Sequence, residues 1–169
     1  MDRAPFPLYG LLDNVRSLWN VGSIFRTADA AGVKKLYLCG MTGRPPRPEI
    51  AKTALGAETT VPWEYVQDPL KAAVTLKNLG VRIVALETAP GAVPCDAFDY
   101  PFPLCLVVGH EVDGVSRPLL AAADAVVSIP MHGRKESLNV AVAFGVAAYE
   151  ILRHLPQQPR GEEGGRVHH

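Results

Sequence analysis

Apolar and polar positions fall in two alternating kinds of block along this chain. Short aliphatic or β-branched runs are separated by stretches with helical spacing, which predicts strands and helices in turn. Pro7 to Leu12, Lys35 to Cys39, Val81 to Leu86, Leu104 to Val108 and Ala125 to Ile129 read as strands, each closed by a Gly, a Pro or a polar residue. Val61 to Val66 is a further one, placed at an edge because Pro62 lacks a ladder donor. Val21, Ile24, Phe25 and Ala28 have helical spacing, with Asn20 as N-cap and Gly32 as the stop. Gly22 and Arg26 are one turn apart and are expected on the face away from that stripe. Glu49 to Leu55, Asp68 to Leu79 and Arg117 to Ala123 are predicted helices. Thr88 to Pro103, with four prolines and a glycine, is predicted to be a loop. The alternation predicts the α/β class, a mostly parallel sheet with helices on both faces.

The segment from Ala125 to Tyr149 organises the rest. A buried strand runs through Pro130 and Gly133 into a charged loop and then a helix, expected to start at Ser137, which is apolar almost all round. Such a helix needs cover on every side, and a second subunit is the expected cover. The run is too short to span a bilayer and ends in Glu150, Arg153 and His154, so no membrane is expected.

At 169 residues the chain suits one domain, expected over residues 1–155, with a polar, Gly-rich, disordered tail over 156–169. Lys plus Arg and Asp plus Glu are 17 each, which excludes bulk electrostatic binding of nucleic acid but leaves room for a local basic patch. Arg16, Arg26, Arg44, Arg47, Lys52, Arg117, Arg134 and Lys135 fall in or beside predicted loops. The three cysteines are odd in number and lack C-x-x-C spacing, and the five histidines show no zinc pattern. Reduced thiols and no metal site are expected. Without a charged-then-apolar leader at its start, the chain is expected to be cytoplasmic.

No G-x-G-x-x-G, G-x-x-x-x-G-K-[ST] or G-x-S-x-G is present, which removes dinucleotide, P-loop and nucleophile-elbow readings. Three polar junctions remain: Asn20 to Thr27, Gly109 to Ser116 and Pro130 to Asn139. Taken singly their residues have plain readings. Asn20 and Ser137 suit helix caps, Glu111 a surface carboxylate, and Arg26 an i, i+3 pair with Asp29.

Taken together they are specific. N-x-G-x-x-x-R-T at Asn20 to Thr27, G-x-E-x-x-G-x-S at Gly109 to Ser116 and I-P-M-x-G-x-x-x-S-L-N-V-A-V-A at Ile129 to Ala143 resemble, in order, the motifs of the SPOUT superfamily of RNA methyltransferases, SpoU or TrmH-like branch. Lys52 to Glu58, KTALGAE, resembles that branch as well. The resemblance implies a homodimeric S-adenosylmethionine-dependent enzyme that methylates a ribose 2'-hydroxyl of tRNA or rRNA. It also implies a C-terminal trefoil knot, which ordinary topology rules would not suggest. It places Leu106, Gly109, Ile129, Met131, Ser137, Leu138 and Asn139 around the cofactor. Asn20, Arg26, Glu111, Ser137 and Asn139 fall on positions associated with catalysis and substrate binding.

A guanidinium keeps its proton and is a poor base, so Arg26 is expected to grip the neighbouring RNA phosphate and stabilise charge on the 2'-oxygen. His110 stands where the family more often has a small residue. The stretch ahead of the first strand is short and the tail is not basic, so RNA grip is expected from the dimer surface and from loops such as Gly40 to Pro48. The competing readings are a non-catalytic RNA-binding or ribosome-associated module of the same fold, and a knotted methyltransferase directed at a base nitrogen.

Overall fold

The structure is a computed structural model and describes residues 6–156. The expected disordered tail lies, apart from Pro156, outside the described residues. In chain order the elements are β1 (Leu8–Asp13), α1 (Leu18–Ala31), β2 (Lys35–Cys39), α2 (Pro48–Ala54), a 3-10 turn (Ala57–Thr59), β3 (Trp63–Val66), α3 (Pro69–Asn78), β4 (Arg82–Leu86), β5 (Val93–Pro94), β6 (Leu104–Gly109), α4 (Arg117–Ala122), β7 (Ala125–Ser128) and α5 (Val140–Arg153).

Within the described residues the strands form one seven-stranded sheet in the order β3-β2-β1-β6-β4-β7-β5, with every neighbouring pair parallel. All six residues of central β6 are buried, as expected of a strand covered on both faces. Its period-2 alternation divides the core. Leu104, Leu106 and Val108 join Phe25, Ile50 and Phe144 of α1, α2 and α5 on one face, and Cys105 and Val107 join Leu76 and Leu119 of α3 and α4 on the other. The expected edge strand is β3. Val93–Pro94, inside the expected loop, adds a two-residue strand at the opposite edge, where a proline costs the ladder little.

Three local expectations are corrected. α1 begins at Leu18 and its cap is Ser17, whose hydroxyl accepts from the Asn20 backbone N–H at 3.3 Å; Asn20 is therefore in the first turn, and its side chain is not used as the cap. α5 begins at Val140, not Ser137. The Asn139 side chain caps it, accepting from Ala141 N at 2.9 Å and Val142 N at 3.2 Å, and Ser137 stays in the loop. Gly22 is buried rather than outward, because α2 crosses α1 so closely that a Cβ there would fall on Thr53 Oγ1 and the Ile50 carbonyl.

The apolar circumference of α5 is half covered. Phe144, Ala147, Ala148 and Ile151 are buried, while Leu138 before the helix and Val142, Val146 and Tyr149 within it are 39–53% exposed.

Candidate active site

Parallel strands bring all their carboxyl ends to one edge, and there the loops after β1, β2, β4 and β6 are tied together. Asp13, last in β1, stands in register with Cys39 of β2 and Gly109 of β6. Its carboxylate is 1% exposed but satisfied, accepting from Ser116 N at 2.7 Å and from the Asn14 side chain at 3.0 Å. Asn14, at φ 57, accepts in turn from Met41 N at 2.8 Å. One Asp-Asn pair thus positions three loops.

The loop after β6 is a tight reversal. His110 and Gly114 exchange backbone hydrogen bonds of 3.1 and 2.9 Å, and His110 Nδ1 accepts from Val112 N and Asp113 N, both at 3.0 Å. His110 is therefore the residue that folds its own loop. A Cβ on Gly109 would collide with the backbone of Gly114 and Val115, so only glycine lets this turn close. Glu87, just past β4, holds the far side by accepting from Val115 N at 2.8 Å and Thr88 N at 3.1 Å.

Glu111 reaches back across the edge to the start of α1. It accepts from Ser17 N at 2.9 Å, Arg16 N at 3.2 Å and the Asn20 side-chain amide at 3.3 Å. Burial acts to raise its pKa, but the hydrogen bonds from Ser17, its own backbone, Arg16 and Asn20 outweigh it and hold the carboxyl below its ordinary range. The favourable field of the α1 N-terminus acts in the same direction. The Asn20 side-chain oxygen Oδ1 accepts from Asn139 Nδ2 at 3.1 Å, and Asn139 caps α5. Glu111, Asn20 and Asn139 therefore form one chain that joins the three sequence motifs.

Beside this chain lies a cleft enclosing about 760 Å³ of open space, part of it continuous with solvent. Of the residues expected around the cofactor, Gly109, Ile129, Met131, Ser137 and Leu138 line this cleft, and Glu111 lines it too, with its carboxylate committed to α1. Two expected cofactor residues do not line it: Leu106 is sealed in the core beneath, and Asn139 is occupied as cap and link. Val140 and Ala143 of α5 extend the apolar wall, and Glu87, Asp113 and Glu136 add negative charge.

Glu87 escaped the sequence reading although the rule that ligands gather beyond carboxyl strand ends applied to it directly. Asp13, read as a strand terminator, gave no signal of the loops it would hold. Arg26 is exposed on α1, outside the cleft, and is in no ion pair among the described residues; Asp29 instead accepts from Thr60 at 3.0 Å.

A cleft that sets apolar side chains such as Ile129, Met131 and Leu138 beside the carboxylate residues Glu87, Asp113 and Glu136 suits a ligand that joins an aromatic nucleoside to a positive centre. Comparison with known proteins accords with that geometry. A relative named tRNA (guanosine(18)-2'-O)-methyltransferase, from Aquifex aeolicus, is 38% identical over 146 residues, covering 86% of this chain and 69% of the relative. A 23S rRNA (guanosine-2'-O-)-methyltransferase from Ralstonia nicotianae is 37% identical, covering 90% of this chain and 61% of its own length. The crystal structure of an AdoMet-bound rRNA methyltransferase from Sinorhizobium meliloti superposes with a TM-score of 0.82 at 33% identity, covering 93% of this chain and 60% of that one. The chain thus spans between about three fifths and seven tenths of the length of these proteins. Residues 7–149 match the model of the SpoU rRNA Methylase family, and with its three motifs meeting at one sheet edge the chain belongs to that family.

Proposed function

We propose that the chain is an RNA methyltransferase that uses S-adenosylmethionine to methylate a ribose 2'-hydroxyl of tRNA or rRNA. The observation that carries this reading is the hydrogen-bonded chain Glu111-Asn20-Asn139 beside the glycine-floored cleft. Related proteins named as guanosine 2'-O-methyltransferases of tRNA and of 23S rRNA support the reaction class.

The residues present fit the cofactor. Ile129, Met131, Leu138 and Val140 offer apolar walls to an adenine, Gly109 permits close backbone approach, and the carboxylates of Glu87, Asp113 and Glu136 suit a ligand with a cationic sulfur and amine. When bound, S-adenosylmethionine supplies an electrophilic methyl group with its leaving group already attached. The protein's task is to hold the ribose oxygen in line and to stabilise the charge that develops on it. Arg26 is free for that work: its planar fork suits an RNA phosphate, and its charge opposes the forming alkoxide. The proton passes to a phosphate oxygen or to water, since no guanidinium accepts it. Asn20 and Asn139 set the relative position of α1 and α5, and Glu111 fixes Asn20. Ser137 is exposed and lines the cleft, which supports a role for its hydroxyl in hydrogen-bonding cofactor or ribose.

Residues 1–155 form a single methyltransferase domain in this reading, and the enzyme is a homodimer. The exposed stripe of Leu138, Val142, Val146 and Tyr149 beside the site supports a second copy as its cover. The trefoil knot belongs to the same reading. Support comes from β7 lying between β4 and β5, two strands joined directly by the 87–92 connection, so the chain beyond β7 must clear that arch to reach α5.

The test is calorimetric titration with S-adenosylmethionine, followed by methyl transfer from labelled cofactor to unmodified tRNA and 23S rRNA transcripts, with nuclease mapping of the product. Stoichiometric uptake and a nuclease-resistant linkage at one nucleotide are expected. Uptake without transfer to either RNA favours a binding module, and label on a base nitrogen overturns the ribose assignment.

A further inference from the structure

The loop between β2 and α2 is a second built surface at the same sheet edge. Its start is pinned: Thr42 is 3% exposed, donates to Leu12 O at 3.1 Å and accepts from Val15 N at 3.0 Å, while Met41 N is held by Asn14. Tyr65 of β3 donates its hydroxyl to Gly40 O at 2.6 Å, which fixes the ring under the loop. The Arg44 guanidinium lies 4.1 Å from the centroid of that ring. Arg44, Arg47 and Tyr65, with the Pro45-Pro46 turn, border a concavity of about 710 Å³ of open space, part of it solvent.

Arg44 and Arg47 are exposed, and among the described residues neither is in an ion pair. The acidic residue nearest in sequence, Glu49, buries one carboxylate oxygen without a partner and pairs with neither. In a chain of zero net charge, two uncompensated guanidiniums on a braced loop are a local anion site in search of a ligand. Adjacent strands are about 4.8 Å apart, so β2 and β3 put this loop roughly 10–15 Å from the Gly109 turn along the edge.

We infer that this loop is a second RNA contact, which holds the substrate strand away from the target ribose: Arg47 grips a backbone phosphate, and Arg44, held over the Tyr65 ring, offers its guanidinium plane to an unstacked base. Bases splayed from single-stranded RNA stack on guanidinium planes, and a ring beneath the guanidinium holds that plane in place before the RNA arrives. The inference rests on the proposed function for the identity of the RNA, but its test does not depend on turnover.

Binding of an unmodified tRNA transcript is measured by fluorescence anisotropy over a series of KCl concentrations. Arg47→Gln is expected to lower the slope of log K against log salt by roughly 0.7–0.9, the signature of one lost phosphate contact. Arg44→Lys keeps the charge but not the plane, so it is expected to weaken binding several-fold with the slope unchanged. Lys34→Gln, at the opposite edge of the sheet, is expected to change neither. Calorimetry with S-adenosylmethionine checks that each variant is folded. The inference is overturned if Arg47→Gln leaves the slope as it was, if Lys34→Gln lowers it equally, if Arg44→Lys binds as wild type does, or if wild type does not bind the transcript. A wild-type chain that takes up no S-adenosylmethionine yet shows these slopes would instead sink the proposed function and leave this contact standing.

Discussion

At the scale of single residues, Glu111 and Arg26 separate positioning from chemistry. The Glu111 carboxyl is held below its ordinary value of 4.5 by the amides it accepts from, so the stability it contributes is fully present above that value and is lost as pH falls through the lower folded one. Thermal melts followed by circular dichroism are therefore expected to show wild type above Glu111→Gln near neutral pH, with the gap closing on acidification below 4.5. A gap that does not vary with pH would mean that shape rather than charge holds α1. Arg26 has no such structural partner. Arg26→Lys keeps a cation but loses the fork, and kcat/KM is expected to fall on the order of a hundredfold with cofactor affinity retained. Full turnover in that variant would remove the phosphate clamp from the mechanism.

At the scale of elements, the contact of α1 with α2 sets where Asn20 and Arg26 stand. Gly22→Ala would gain up to about 1 kcal/mol of helix propensity, but overpacking costs about 1–3 kcal/mol. The Ile50 carbonyl, as backbone, cannot rotate aside, so α2 itself has to move. A net loss of about 1–2 kcal/mol in urea unfolding is expected. An unchanged midpoint would show that α2 slides freely. Both helix starts illustrate how local signals compete. Ser17 and Asn20 each suit a cap, and Ser137 and Asn139 likewise. Which one caps follows from where the strand hands over the chain and from what else the other residue can bond.

At the scale of the whole molecule, the uncovered side of α5 is the feature without an internal explanation. Val146→Asp places a charge in the middle of the exposed stripe. If the proposed homodimer forms through this stripe, sedimentation is expected to show a dimer for wild type and a monomer for the variant, with methyl transfer lost because the stripe begins at Leu138, which lines the cleft. A variant that stays dimeric would move the subunit interface elsewhere. No helix among the described residues is long and apolar enough to cross a membrane, so that stripe is not part of a membrane-spanning helix.

Periodicity and turn residues by themselves determined the α/β class, five of the strands nearly to the residue, β3 as an edge and the stop at Gly32, because these depend on neighbours within a few positions. The order of residue types in three short segments determined the family, and two of those segments hold Gly109, Ile129, Met131, Ser137 and Leu138, which line the cleft. Tertiary structure alone decided the rest. Asp13 and Glu111 bond partners 103 and as many as 95 residues away, and no local pattern encodes which distant amide a carboxylate will meet. Gly22 was expected outward because helical spacing assigns faces but cannot say which neighbouring helix will cross which face, and Leu106 was expected at the ligand because a motif is read along the chain whereas a cleft samples only the side chains that the fold leaves uncovered.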